Sequence, residues 1–351
     1  MISVSIITPT FNRAELLQQT AATIRQQSGD HIEWIIVDDR SDDDTLLVAK
    51  QLQHEDSRIK IFQRNRFPSG ACTCRNIGFE NALGEWVMFL DSDDLLAADC
   101  INGRLKMIEE NAGADLYVFS SAFFTSSPAD TPVLWNRFTK ERDLDRFLSG
   151  DPVWHTAGGM WRRSFLEQAG VIFNENLLSG QDWEFHVHAL LSNPAYIKAK
   201  ALPDNFIRRN PKSSRISDSH FDPVKIANRV SEKIRYLAHP RLNNPQKKIL
   251  LYHISRELIS YYNKCGYLPE NSLEGLRSHF AVIPFADRRV FTFLRILGSL
   301  KKRRYWLQRI AFFLLAARAL KVRSSYRSQM SHDEVEQLKS VLARYETIIN
   351  I

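Results

Sequence analysis

Cysteine is scarce. Cys72, Cys74, Cys100 and Cys265 are the four in 351 residues, and no two form a Cys-x-x-Cys pair. A disulfide framework is excluded, and free thiols in a reducing compartment are expected. Long apolar runs are missing too. The stretch Ile310–Ala317 is eight residues long, closed by Arg309 and Arg318, whereas a bilayer-spanning helix takes about 20. No basic leader or cleavage site precedes the first strand-like run, Ser3 to Thr8, so no signal peptide is expected. There is no internal repeat and no recognised nucleic-acid motif, so nucleic acid is not an expected partner. What is present is an ordinary globular composition, 44% hydrophobic and 25% charged, in a length that suits one large domain or two smaller ones.

The net charge of +7 is unevenly spread. Residues 1–220 carry 23 basic and 30 acidic side chains, a net of −7, and residues 221–351 carry 24 and 10, a net of +14. An acidic front and a basic back point to two modules with different partners.

The front half alternates strand and helix. Val4–Thr8, Glu33–Val37, Arg58–Phe62 and Trp86–Leu90 read as buried strands. Helical patterns lie between them, over about 13–27 with Asn12 as N-cap, from Ser41, and over about 71–82. This rhythm predicts an α/β fold, a mostly parallel sheet flanked by helices, with ligands bound beyond the carboxyl ends of its strands. Residues 121–155 show little periodicity and read as a long loop. A strand over Thr156–Trp161, a helix over Gly180–Leu191 and short strands at Tyr196–Ala199 and Phe206–Arg209 follow. From about Pro223 the patterns are helical throughout, near 223–238, 246–264, 287–300, 303–322 and 331–349.

Two of the strands run straight into carboxylates. Ile35-Ile36-Val37 is followed by Asp38-Asp39-Arg40-Ser41, and Val87-Met88-Phe89-Leu90 by Asp91-Ser92-Asp93-Asp94. Acidic side chains crowded at the mouth of a sheet repel one another unless they hold a hydroxyl, a base N–H or a hard divalent cation. Mg²⁺ and Mn²⁺ favour such oxygens and bridge them to substrate phosphates.

These stretches, in their order and spacing, resemble the family 2 glycosyltransferases of the GT-A fold, which are inverting and nucleotide-sugar-dependent. The resemblance covers roughly residues 1–215. It runs through Val4-Ser5-Ile6-Ile7-Thr8-Pro9-Thr10-Phe11-Asn12-Arg13, the Asp38-Asp39 segment with Asp44-Thr45, Arg75-Asn76-Ile77-Gly78, Gly84 to Asp94, and Gly180-Gln181-Asp182-Trp183-Glu184. It implies a GT-A domain over 1–220, followed by a basic helical domain over 221–351.

The resemblance also implies roles. Pro9 and Phe11 would line the nucleobase pocket, Phe11 where Tyr is commoner. Asp39 would accept a base N–H and Arg75 would close the pocket. Asp91 would hold the ribose hydroxyls with Ser92 beside it. Asp93 would ligate a Mn²⁺ or Mg²⁺ cofactor on the diphosphate. Asp182 matches the general base, with Gln181 in place of the family's preceding Glu. Cys74-Arg75-Asn76 stands for the family's Ala-Arg-Asn. The residue types suit the chemistry, because an inverting transfer needs one carboxylate to deprotonate the acceptor hydroxyl and a cation to neutralise the leaving diphosphate.

Further residues are less specific. Trp183 fits the core or the acceptor groove. His155, His186, His188 and His220 are candidate metal ligands for which a core or surface place is expected. Arg208, Arg209, Lys212, Ser213 and Ser214 make a cationic, hydroxyl-rich loop, read either as closing over a diphosphate or as a plain exposed loop. Residues 288–332 hold 12 Lys and Arg and no acid. With Trp306, Phe312 and Phe313 this segment reads as a helix lying on an anionic membrane surface, the alternatives being a core helix or an oligomer face. The expected partners are therefore a nucleotide-sugar, a glycan or lipid-linked glycan acceptor, and a membrane surface reached through 288–327. The expected place is the cytoplasm, at the inner face of the membrane. Two rival functions remain in view. A nucleotidyltransferase needs a Gly-rich, basic loop after the first strand, and Thr8–Arg13 has none. An inactive membrane-associated nucleotide-binding protein sits poorly with Asp39, Asp93 and Asp182.

Overall fold

The computed structural model describes residues 2–209, 222–265 and 329–343. Strands β1 (Val4–Thr10), β2 (Ile32–Asp38), β3 (Ile59–Gln63), β4 (Trp86–Phe89), β6 (Leu116–Val118), β8 (Gly159–Arg162) and β9 (Tyr196–Lys198) form one sheet in the order β3-β2-β1-β4-β8-β6-β9. Its first four strands are parallel, and β8 runs antiparallel to both β4 and β6. A small second sheet sets β10 (Asn205–Arg208) between β5 (Leu95–Leu96) and β7 (Ser121–Phe124).

Strand side chains alternate between two faces, and the burial follows. Val4, Ile6, Trp34, Ile36, Trp86 and Met88 pack on one side. There they meet α1 (Ala14–Arg25), α2 (Thr45–Glu55) and α4 (Cys100–Glu110). Ile7, Ile35, Val37, Val87 and Phe89 face the other side. That side is covered by α3 (Ala71–Glu80), α5 (Asp143–Leu148), α6 (Arg163–Ala169) and α7 (Gln181–Leu191). Helices α8 (Pro223–Leu237) and α9 (Asn244–Cys265) join this second core, through Ile226, Val230, Leu250, Ile254 and Leu258. The last helix, α10 (His332–Ala343), packs Leu338 and Leu342 on Phe124 and Phe206 of the small sheet. Arg137 pairs with Glu334 at 3.0 Å beside it.

Four expectations change. The helix expected from Ser41 begins at Thr45, because Ser41 is held in a turn by the Asp38 carboxylate. Asn12 does not cap α1. Arg13 holds that place without a side-chain cap, while Asn12, at φ +50°, accepts the Asp42 N–H at 2.9 Å. The stretch 121–155 is not one loop, since it contains β7 and α5; β7 is held by β10, a partner 84 residues away at Asn205↔Ser121. The strand expected from Thr156 begins at Gly159, after a 3-10 turn over Thr156–Gly158. The helical patterns at 287–300 and 303–322, the basic membrane segment, Lys212, Ser213, Ser214 and His220 lie outside the described residues.

Candidate active site

Because β1, β2 and β4 are parallel, their carboxyl ends share one edge of the sheet, and their trailing residues converge there. They form one side of a cleft of about 660 Å³ that takes in Pro9, Phe11, Asp39, Arg75, Asp91, Ser92, Asp93 and Asp182. The eight residues to which the resemblance gives a role therefore line one cleft, though they come from five separate stretches of chain.

The two aspartates that end β2 part company. Asp38 is fully buried and accepts from Ser41, at 3.1 Å from the backbone N–H and 2.5 Å from the hydroxyl, so it fixes the turn. Asp39 turns to the cleft and is paired with the buried guanidinium of Arg64. Arg64 in turn donates to the Arg66 carbonyl and stacks on Phe67. Sequence reasoning missed Arg64, whose only signal is a lone Arg just past the third strand. Phe11 is 49% exposed at the mouth, a large apolar ring in water beside the expected base pocket.

Arg75 lines the cleft from a buried position. It is 4% exposed, donates to Asp91 at 2.5 Å, comes within 3.8 Å of Asp182 and stacks over Phe173. Among the described residues its Nε and Nη1 have no hydrogen-bond partner. Burial would lower its pKa, but the carboxylates of Asp91 and Asp182 outweigh that and raise it. The guanidinium is thus a fixed positive charge between the carboxylates of Asp91 and Asp182.

Asp182 stands in the first turn of α7, its side chain 47% exposed. Gly180 makes that placement possible: it has φ +76°, in the left-handed region, and a Cβ there would lie 2.8 Å from Arg229 Cδ. Any other residue would be strained and would clash. Trp183 is anchored by its indole N–H on the Phe147 carbonyl at 2.7 Å, half in the core and half lining the cleft.

The acidic loop after β4 also gathers a possible cation site. Donor atoms of Asp91, Asp94 and His155 all lie within 4.8 Å of one another. Asp94 accepts the Arg208 N–H at 3.0 Å, and His155 Nδ1 accepts the Ala157 N–H at 3.3 Å. Burial lowers the pKa of His155, so its ring is the neutral form that binds metals. The two carboxylates suit Mn²⁺ or Mg²⁺, and the imidazole favours the softer Mn²⁺. The cluster uses Asp94, where the resemblance implied Asp93; Asp93 lines the same cleft, half buried. Of the other histidines, His186 is fully buried in an aromatic nest, with Nδ1 on the Asp182 carbonyl at 2.7 Å. Burial brings it down to about 4. Cysteine chemistry is not available at the site, since burial pushes the Cys72 thiol up to about 12 and that of Cys74 higher still.

Residues 5–169 match the model of the Glycosyl transferase family 2. The chain carries a family 2 glycosyltransferase domain. A Campylobacter jejuni GalNAc(5)-diNAcBac-PP-undecaprenol beta-1,3-glucosyltransferase is 38% identical over 110 residues, 31% of this chain and 36% of that one. TuaG of Bacillus subtilis, a putative teichuronic acid biosynthesis glycosyltransferase, is 38% identical over 111 residues, 32% of this chain and 44% of its own. The match therefore spans less than half of either relative. A crystal structure of residues 1–349 of S. aureus TarS with UDP-GlcNAc superposes with a TM-score of 0.64 at 18% identity, over 99% of this chain and 92% of that one. That likeness shows the fold: a GT-A sheet followed by a helical region. Among the described residues no helix is long and apolar enough to cross a membrane.

Proposed function

We propose that the protein is an inverting glycosyltransferase. It moves a sugar from a nucleotide-sugar, UDP-linked, to a hydroxyl of a glycan or lipid-linked glycan in bacterial surface polysaccharide synthesis. The observation that carries this reading is Asp182, half exposed in the same cleft as Asp39, Asp91 and Asp93 and 3.8 Å from the Arg75 that also holds Asp91. The relatives in undecaprenol-linked glycan and teichuronic acid synthesis support the pathway, and the UDP-GlcNAc of TarS supports the donor class.

In this reading Asp39 accepts the base N–H, Pro9 and Phe11 pack on the base, and Asp91 with Ser92 takes the ribose. Arg75 closes the base pocket and holds Asp91 from behind. Asp182 accepts the proton of the acceptor hydroxyl. The acceptor oxygen then bonds to the anomeric carbon as the bond to the diphosphate oxygen breaks, and the nucleoside diphosphate leaves. A bound Mn²⁺ or Mg²⁺ supplies charge neutralisation for the departing diphosphate; Asp93 would hold it, with Asp91, Asp94 and His155 beside it. General-base help of this kind is worth about 10²–10⁴-fold in rate. The protein works at the cytoplasmic face of the membrane, drawn there by residues 288–327.

A panel of nucleotide-sugars, scored for metal-dependent sugar release and transfer, tests the reading. Asp182→Asn keeps the shape but cannot take a proton, so it should leave donor affinity intact and lose at least about 10²-fold in kcat. Turnover within about threefold of wild type would remove Asp182 from the mechanism.

A further inference from the structure

The cleft has a second wall that the family model, ending at residue 169, does not reach. Helices α8 and α9 build it. Arg229 and Lys233 stand one turn apart on α8, and His253 and Glu257 one turn apart on α9; all four line the cleft. Glu257 accepts from Arg229 at 2.7 Å and from Lys233 at 3.0 Å, and lies 3.8 Å from His253 Nε2. Arg256 follows beside them, donating to the Ser149 carbonyl.

This wall is joined to the segment that delivers Asp182. Arg229 donates to the Ser179 hydroxyl at 2.6 Å and fills the space left by Gly180. The Lys233 ammonium sits over the Trp183 ring at 5.0 Å. Arg229 and Lys233 are each 3% exposed. Burying ions between two helices carries a desolvation cost that apolar side chains avoid. Among the described residues, Glu257 is the one carboxylate within ion-pair distance of Lys233, while Arg229, Arg256 and His253 crowd the same spot. Burial holds the His253 ring neutral, so the cations of this wall are Arg229, Lys233 and Arg256, set around Glu257. Burial lowers the pKa of Lys233 despite Glu257, and Arg229 and Arg256 add to the lowering.

We propose that this α8–α9 wall is an oxyanion subsite, taking a phosphate or carboxylate borne by the acceptor near the hydroxyl presented to Asp182. The word "acceptor" rests on the glycosyl-transfer reading, whereas the subsite rests on the wall itself. Cationic walls in low-dielectric clefts bind such groups strongly because little water competes for them.

Calorimetry on the full chain tests the proposal. With the nucleotide site filled by UDP, glycerol 3-phosphate and glucuronate are titrated separately, with glycerol and glucose as neutral controls. The anions should bind and the neutral compounds should not; the stronger of the two anions identifies the group. Lys233→Met should weaken anion binding about tenfold or more, the scale of one charged hydrogen bond. Glu257→Gln should tighten it, because it removes the competing carboxylate; a purely structural ion pair predicts loss in both variants. Circular dichroism reports folding, and if Lys233→Met does not fold, Glu257→Gln decides. Wild type that binds neither anion, or folded variants that bind as wild type does, overturns the proposal. Should UDP fail to bind while the anions bind and respond to the variants, the nucleotide-sugar reading falls and the subsite stands.

Discussion

Glu184 offers a quantitative check on how α7 is seated. It lies two residues after Asp182, on the buried side of the helix, and is 2% exposed. Its carboxyl accepts the Tyr236 hydroxyl at 2.6 Å, with Arg235 3.7 Å away. Burial pushes its pKa from 4.5 up to about 7, Glu232 adding to the rise and Tyr236 and Arg235 opposing it. A raised acid weakens the fold as pH climbs. Below pH 4.5 both the folded and unfolded chains hold the proton, and nothing is lost. Between 4.5 and about 7 the unfolded chain releases the proton while the folded chain keeps it, so stability falls. Above that range the loss levels off at about 3 kcal/mol, at 1.36 kcal/mol per unit. Glu184→Gln fixes the neutral form and keeps an acceptor for Tyr236. Urea unfolding followed by tryptophan fluorescence should therefore give equal stabilities for the two proteins near pH 4.5 and a variant more stable by about 3 kcal/mol at about pH 8. A variant no more stable than wild type at the higher pH would mean that Glu184 is ionised in the fold, and the argument from burial would fail.

Three other outcomes are expected. EDTA should abolish transfer, and Mn²⁺ or Mg²⁺ should restore it; Asp93→Ala should lose metal-assisted UDP binding with its circular dichroism unchanged, whereas full activity in EDTA would refute a metal role. Calorimetry should find UDP tighter than GDP, since Asp39 has one oxygen on Arg64 and would meet the single ring N–H of uracil with the other, whereas guanine presents two N–H groups, and tighter than dTDP, which lacks the 2′-hydroxyl that Asp91 would hold; tighter GDP would refute the uridine assignment. Wild type should sediment with anionic liposomes and partly release in high salt, each Lys or Arg near the surface being worth about 1 kcal/mol. Replacing Lys301, Lys302, Arg303 and Arg304 by Glu should reduce sedimentation, and wild type that ignores anionic vesicles would exclude the membrane reading.

The parallel half of the fold is legible because its signals are local. Ile35–Val37 and Val87–Leu90 are unbroken apolar runs, and each stops at carboxylates, of which Asp39, Asp91 and Asp93 line the cleft. What the sequence hides is set by long-range partners. Strand β7 exists because Ser121–Phe124 pairs with β10. Asp94 faces His155 across 61 residues, at 4.0 Å. Arg64 belongs to the site only because β3 lies beside β2, which sets Gln63 against Asp38 and so Arg64 next to Asp39. Asn12 failed as a cap for the same reason: the Asp42 N–H, 30 residues on, takes its side chain.

The two sides of the cleft differ in how they are specified. The donor side is written in the strand ends of residues 5–169, the stretch that the family model covers. There the parallel pairing of the strands brings the positions of Asp39, Asp91 and Asp93 together. The other side is assembled from α7, α8 and α9 through side-chain contacts, Arg229 on Ser179 and Glu257 on Lys233. Such contacts change with single substitutions that leave the sheet untouched. On the proposed function, the strand ends within 5–169 serve the donor and the helices beyond that stretch meet the acceptor. Substitutions in α8 and α9 should accordingly act on the acceptor's KM, and those at the strand ends on nucleotide affinity.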